Sequence, residues 1–127
     1  MDKKMIEIKI TIDSALAILL ERMNMELKIR QRDLIIPKGL KLENLPHRQL
    51  MPIVEASIFD TVFLLPPELV IRETNLINII TGTVRALSRI VSQDEFRSFS
   101  SQRTSRIIQP IVNHLQIQIE NKNFQFN

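Results

Sequence analysis

Arg85, Arg89, Arg97, Arg103 and Arg106 are the residues whose type and spacing most invite a chemical reading in this 127-residue chain. The stretch Val84–Ile119 that holds them has no lysine and two acids, Asp94 and Glu95. A guanidinium is a planar fork that grips phosphate or carboxylate through two parallel hydrogen bonds, so an arginine-only set points to an anionic partner. Three of the five fall in FRSFSSQRTSR (Phe96 to Arg106), where Ser, Thr and Gln supply further donors for phosphate oxygens. Trp and Tyr are absent, so no base-stacking platform is expected. Nucleic-acid contact through this set is then directed at the backbone and tolerant of sequence. The competing reading is a solvated face whose arginines pair with acids of neighbouring helices. A second basic segment, Lys28 to Leu45, carries Lys28, Arg30, Arg32, Lys38 and Lys41 against Asp33 and Glu43. It is open to the same two readings.

Other chemistry is hard to find. The two histidines, His47 and His114, read as structural or surface residues rather than as ligands or bases. Glu55 and Asp60 stand out on an apolar stretch, but a five-residue spacing sets them ~140° apart around a helix. Ion pairs with Arg48 or Arg72 account for them better than acid–base catalysis does. Without cysteine there is no disulfide and no thiolate metal site. Glycine-rich phosphate loops, zinc spacings, EF-hands and nucleophile elbows are missing as well. The expectation is a protein that is not an enzyme, with no catalytic residue, no metal ligand and no cofactor.

The elements that must position the arginines follow from pattern and composition. Hydrophobic residues at 44% and charged residues at 24% are ordinary for a folded domain and argue against disorder. Two glycines, Gly39 and Gly82, are too few for a many-turned β sandwich or barrel. The expected fold is mainly α, a compact helical bundle in one domain over residues 1–127, with a tail that frays over 121–127. Short strands are left open at Ile6–Ile12 and Leu115–Ile119, where isoleucines or leucine alternate with polar residues. For the first, the stripe Met5, Ile8, Ile12, Ala15, Leu19 and Met23 favours helix instead.

The centre of the chain is Leu50–Val91. Its first part, to Leu65, is apolar on nearly every side, as expected for a helix in the middle of a bundle. Pro66-Pro67 ends it. In the second part Leu76, Ile80, Val84, Leu87 and Val91 form an apolar stripe, with Arg85 and Arg89 on the opposite face of a helix over Asn75–Val91. Pro46 fits a helix start, and Pro52 predicts a kink or restart. Gly82 within the helical pattern predicts the close approach of a neighbouring helix. Ser92 and Glu95 match a capping box that restarts the chain as helix, after which the serine-rich residues to Thr104 form a flexible polar joint. A last helix carries Ile108, Ile111 or Val112, Leu115 and Ile119, with Pro110 early in it.

The apolar Leu50–Leu65 helix, the Asn75–Val91 helix with Arg85 and Arg89, and the set Arg97, Arg103 and Arg106 together resemble the small helical subunit of type I CRISPR (Cascade) interference complexes. The resemblance is one of format and covers most of the chain. It implies a non-catalytic subunit of an antiviral-defence ribonucleoprotein, present in more than one copy among other protein subunits. There it supports the guide–target heteroduplex or the displaced strand, contacting RNA or single-stranded DNA backbone through the five arginines. The alternative is a protein-only helical adaptor or oligomerisation module whose arginines pair with acidic partner surfaces. No run without a polar residue approaches the ~20 residues of a membrane span. The Met1-Asp2-Lys3-Lys4 start precedes no secretory apolar core, so no membrane role and a cytoplasmic location are expected.

Overall fold

A computed structural model describes the backbone of residues 3–65 and 73–125, and the side chains of residues 11–65 and 74–114. Four helices account for most of it: α1, Lys3–Arg32; α2, His47–Leu64; α3, Glu73–Leu87; and α4, Ser101–Gln125. Single 3₁₀ turns at Leu42–Asn44 and Asp94–Ser98 lead into α2 and α4. The fold is a helical bundle, and no strand occurs among the described residues.

Both stretches left open as strands are helical. Ile6–Ile12 lies inside α1 and Leu115–Ile119 inside α4. A strand needs a neighbour to satisfy its backbone groups, whereas a helix satisfies its own. With Ala15, Leu19 and Met23 continuing the stripe at helical spacing and fully buried, the helix prevails over the β preference of isoleucine. Helix α4 also runs to Gln125, so residues 121–125 of the expected frayed tail continue it; residues 126–127 lie outside the described residues, as does Pro66-Pro67.

Each helix buries the face its spacing dictates. Ala15, Leu19, Met23 and Leu27 line α1 at intervals of four; Leu50, Ile53, Val54, Ile58 and Val62 line α2; Leu76, Ile80, Val84 and Leu87 line α3; Ile108, Ile111 and Val112 line α4. All belong to one apolar core. At roughly 1.5–3 kcal/mol per buried large aliphatic side chain, this core is what opposes chain entropy. The centre of α2 differs from expectation on one side. Phe59, Phe63 and Leu64 are 46%, 41% and 49% exposed, so α2 is an outer helix with one bare flank rather than one enclosed all round.

The proline and glycine readings divide. Pro46 stands at the N-cap of α2, and the helix passes through Pro52 without restarting. Gly82 sits where α1 meets α3. A Cβ there would lie 2.8 Å from Ile12 Cδ1, which is the close approach that its place in the pattern predicts. Gly39 takes φ +95°, a turn conformation that favours glycine.

Helix ends set the joints. Helix α1 closes with Ile35 N–H donating to Arg30 O at 2.8 Å and Leu34 in the left-handed region at φ 63°. This is the position that glycine usually fills. Gln31 then donates its side-chain amide to Pro37 O and Leu40 O, both at 3.1 Å, tying the loop back to α1. Helix α3 stops at Leu87, four residues short of the expected Val91, and turns through Ser88–Val91 to Ser92 at φ 54°.

Candidate functional site

The capping box at Ser92–Glu95 does not form. The 3₁₀ turn has Gln93 as its N-cap with no side-chain cap bond, because the positive φ of Ser92 takes it out of the extended conformation a cap requires. The working cap is Ser100. Its Oγ accepts from Arg103 N–H at 3.1 Å, satisfying one of the orphan donors at the start of α4. The stretch Ser98–Thr104, expected as a polar joint, is helix from Ser101 onward. Thr104, on the buried side of that first turn, meets Thr81 of α3 with 2.7 Å between the two hydroxyl oxygens.

Phe99 anchors the arginines. Its ring is buried against the core, as is that of Phe96. Arg85, from α3, donates its Nε–H to Phe99 O at 2.8 Å. The Arg103 guanidinium carbon lies 5.1 Å from the centre of the Phe99 ring, within cation–π range. Two guanidinium groups from different helices are thus held on one residue. Arg97 is exposed and pairs with Asp94 at 3.5 Å, an i,i+3 contact of two solvated side chains that contributes little to stability. Arg106 shares a face of α4 with Arg103, three residues on. Arg89 and Arg106 are exposed, and neither side chain makes an ion pair or hydrogen bond among the described residues. Arg85 and Arg89 are both exposed, but only Arg85 is on the helix; Arg89 sits in the turn beyond it, with its backbone N–H on Ala86 O at 3.2 Å.

The second basic segment comes to the same end of the bundle. Gln93 donates its side-chain amide to Leu45 O at 3.1 Å, and the His47 ring lies 5.3 Å from that of Phe96. These contacts join the loop after α1 to the turn after α3, so the C-terminal ends of α1 and α3 and the N-terminal ends of α2 and α4 meet. Residues 26–48 and 85–106, which make up this end, hold eleven of the seventeen Lys and Arg and five of the fourteen Asp and Glu. That is an excess of six positive charges; the rest of the chain, with six bases and nine acids, has an excess of three negative. A net charge of +3 conceals this separation. Within residues 26–48, Arg30 pairs with Glu26 one turn back on α1, and Arg32 with Asp33, each at 3.2 Å. Lys28, Lys38, Lys41 and Arg48 are exposed and form no ion pair among the described residues.

Glu55, Asp60 and His114 fall outside residues 26–48 and 85–106. Glu55 and Asp60 are exposed on α2 and enter no ion pair among the described residues; Arg72, one of the partners expected for them, lies outside those residues. His47 packs on Phe96, and His114 lies beside Phe63 with ring centres 6.2 Å apart. Among the described residues no group of three or more His, Asp or Glu could hold a metal ion. Nor is any helix among them long and apolar enough to cross a membrane. No protein-family model matches the chain, and no curated protein or solved structure matches it either.

Proposed function

We propose that this protein is a non-catalytic subunit of a nucleic-acid-containing assembly, and that its basic end contacts the phosphate backbone. The observation that carries the reading is the gathering of two basic segments, separate in sequence, at one end of the bundle through the Gln93–Leu45 and His47–Phe96 contacts. Like charges packed together are unfavourable unless an anion lies between them, and a polyanion offers many phosphates at once. Arg85 and Arg103 are held in place by Phe99, so less side-chain freedom is given up when their remaining N–H groups meet phosphate. Arg89 and Arg106 add forks whose side chains have no internal pairing among the described residues. The resemblance to Cascade small subunits gives the specific form: a cytoplasmic ribonucleoprotein of several protein subunits, with this one in more than one copy on RNA or single-stranded DNA.

The test is binding to single-stranded RNA and DNA across a salt series, with wild type and the variant in which Arg97, Arg103 and Arg106 are all replaced by Gln. Each phosphate that the variant no longer neutralises should flatten the salt dependence by a slope of about 0.7 for a single strand, so three of them flatten it by about 2. Base preference should stay as it is. Equal affinity and equal slope for the two proteins would remove nucleic acid from the reading. The adaptor would then stand, with the same arginines facing an acidic protein surface.

A further inference from the structure

The basic end carries an apolar point. Leu34 is 85% exposed and Ile35 60%, the two highest values among the exposed large hydrophobic residues of the described part, and Met25 and Ile29 on α1 are exposed as well. Ile36, their neighbour, is buried at 2%, so the loop had the means to hide an aliphatic residue and shows two others instead. Leu34 does this from a left-handed backbone, φ 63°, that carries a steric cost for any residue with a Cβ. Gln31 and the carbonyls of Pro37 and Leu40 hold the loop in this shape. The cations Lys28, Lys38 and Lys41, outside every ion pair among the described residues, flank the point on either side in sequence. Next to Leu34, the exposed Asp33 is taken up by Arg32 at 3.2 Å, which leaves the lysines as the unpaired cations of this segment among the described residues. An apolar tip with cations before and after it in sequence suits a surface that offers phosphate at its edges and a stack of apolar faces between them.

We infer that Leu34, with Ile35 beside it, is a wedge that enters a base step of duplex DNA while Lys28, Lys38 and Lys41 hold the flanking phosphates. The inference rests on the nucleic-acid reading and adds to it a mode of contact and a double-stranded target. Aliphatic side chains inserted between base pairs part the stack and kink the duplex, and they do so with little regard for sequence. That matches an end without Trp or Tyr to read single bases. It also gives the exposed Leu34 and Ile35 a role that phosphate contact leaves unexplained.

The experiment uses the full chain and a short DNA duplex labelled at both ends for energy transfer, titrated at several salt concentrations. Wild type should bind and bring the duplex ends closer. Leu34→Ala should still bind, with the same salt slope and an affinity lower on the order of tenfold, but without the bend. Leu34→Gly separates function from folding, because it relieves the left-handed strain and yet removes the wedge; it should be more stable than wild type and equally unable to bend DNA as Leu34→Ala. Wild-type binding with no bend, or an equal bend by all three proteins, overturns the wedge and leaves phosphate contact standing. Failure of wild type to bind either duplex or single strand overturns both readings. Binding to anionic vesicles that disappears in Leu34→Ala, with no bend on DNA, overturns the wedge by giving the tip to a lipid surface.

Discussion

Gly82 is the position where the packing can be tested most sharply. Replacing glycine by alanine in a helix interior contributes about 1 kcal/mol through propensity. Here the added methyl would lie 2.8 Å from Ile12 Cδ1 and 3.4 Å from Ile12 Cγ1. The first distance is too short, but the atom is the far end of a half-buried side chain that can turn aside. Displacing it from its rotamer costs about 0.5–1.5 kcal/mol. The two effects offset, so Gly82→Ala alone should change stability by less than about 0.5 kcal/mol. Ile12→Val removes Cδ1 and with it the short contact. In that background Gly82→Ala should stabilise by about 1 kcal/mol, a coupling of the same size between the two positions. Urea unfolding of the four proteins of the cycle gives the numbers. Additive effects, with the full gain already present in Gly82→Ala alone, would mean that α1 and α3 do not meet at this point, and the bundle as described would be wrong.

Two further outcomes follow from the same packing. Leu65, 5% exposed at the end of α2, should cost about 2–5 kcal/mol when truncated to alanine, and an unchanged denaturation midpoint would contradict its place in the core. Ser100→Ala should cost about 1 kcal/mol through loss of the α4 cap, whereas Ser92→Ala removes no cap bond; thermal unfolding in which Ser92 proves the more costly would restore the capping box at Ser92–Glu95.

The sequence made the faces of the helices legible and left their ends obscure. Intervals of three and four at Ala15–Leu27 and Leu76–Leu87 report burial directly, because helical geometry puts those residues on one side. The alternation at Ile6–Ile12 misleads since isoleucine at every second position also leaves helical intervals intact, and only a neighbouring strand could have decided for β. Caps were harder. Ser92 with Glu95 and Ser100 with Arg103 each present a serine three residues before a long polar side chain, and the difference lies in a backbone angle that no composition fixes. The bare flank of α2 shows a further limit: an apolar residue can be placed on a face, but whether a neighbour covers that face depends on the whole arrangement. Phe59 and Phe63, with ring centres 5.1 Å apart, cover each other in part.

The candidate site was legible residue by residue but not as a surface. Arg85, Arg97 and Arg103 stand out in sequence by type, yet their differing roles depend on Phe99 and Asp94, which only the folded chain brings to them. What sequence reasoning missed, the union of the loop around Lys38 and Lys41 with the arginine joint, had a signal available. When successive helices run antiparallel, the first and third joints lie at the same end. Charges in residues 26–48 and 85–106 then belong in one sum, and it gives the excess of six that a chain-wide +3 hides. Net charge averages over a surface that the partner never meets as a whole. For a bundle the informative quantity is charge per end, because exposed charges farther from a docked anion than a Debye length, about 8 Å at physiological salt, are largely screened from it. Salt dependence therefore reports the end, and whether a bound duplex bends, and loses the bend in Leu34→Ala, tells a surface that merely attracts phosphate from one that enters the stack.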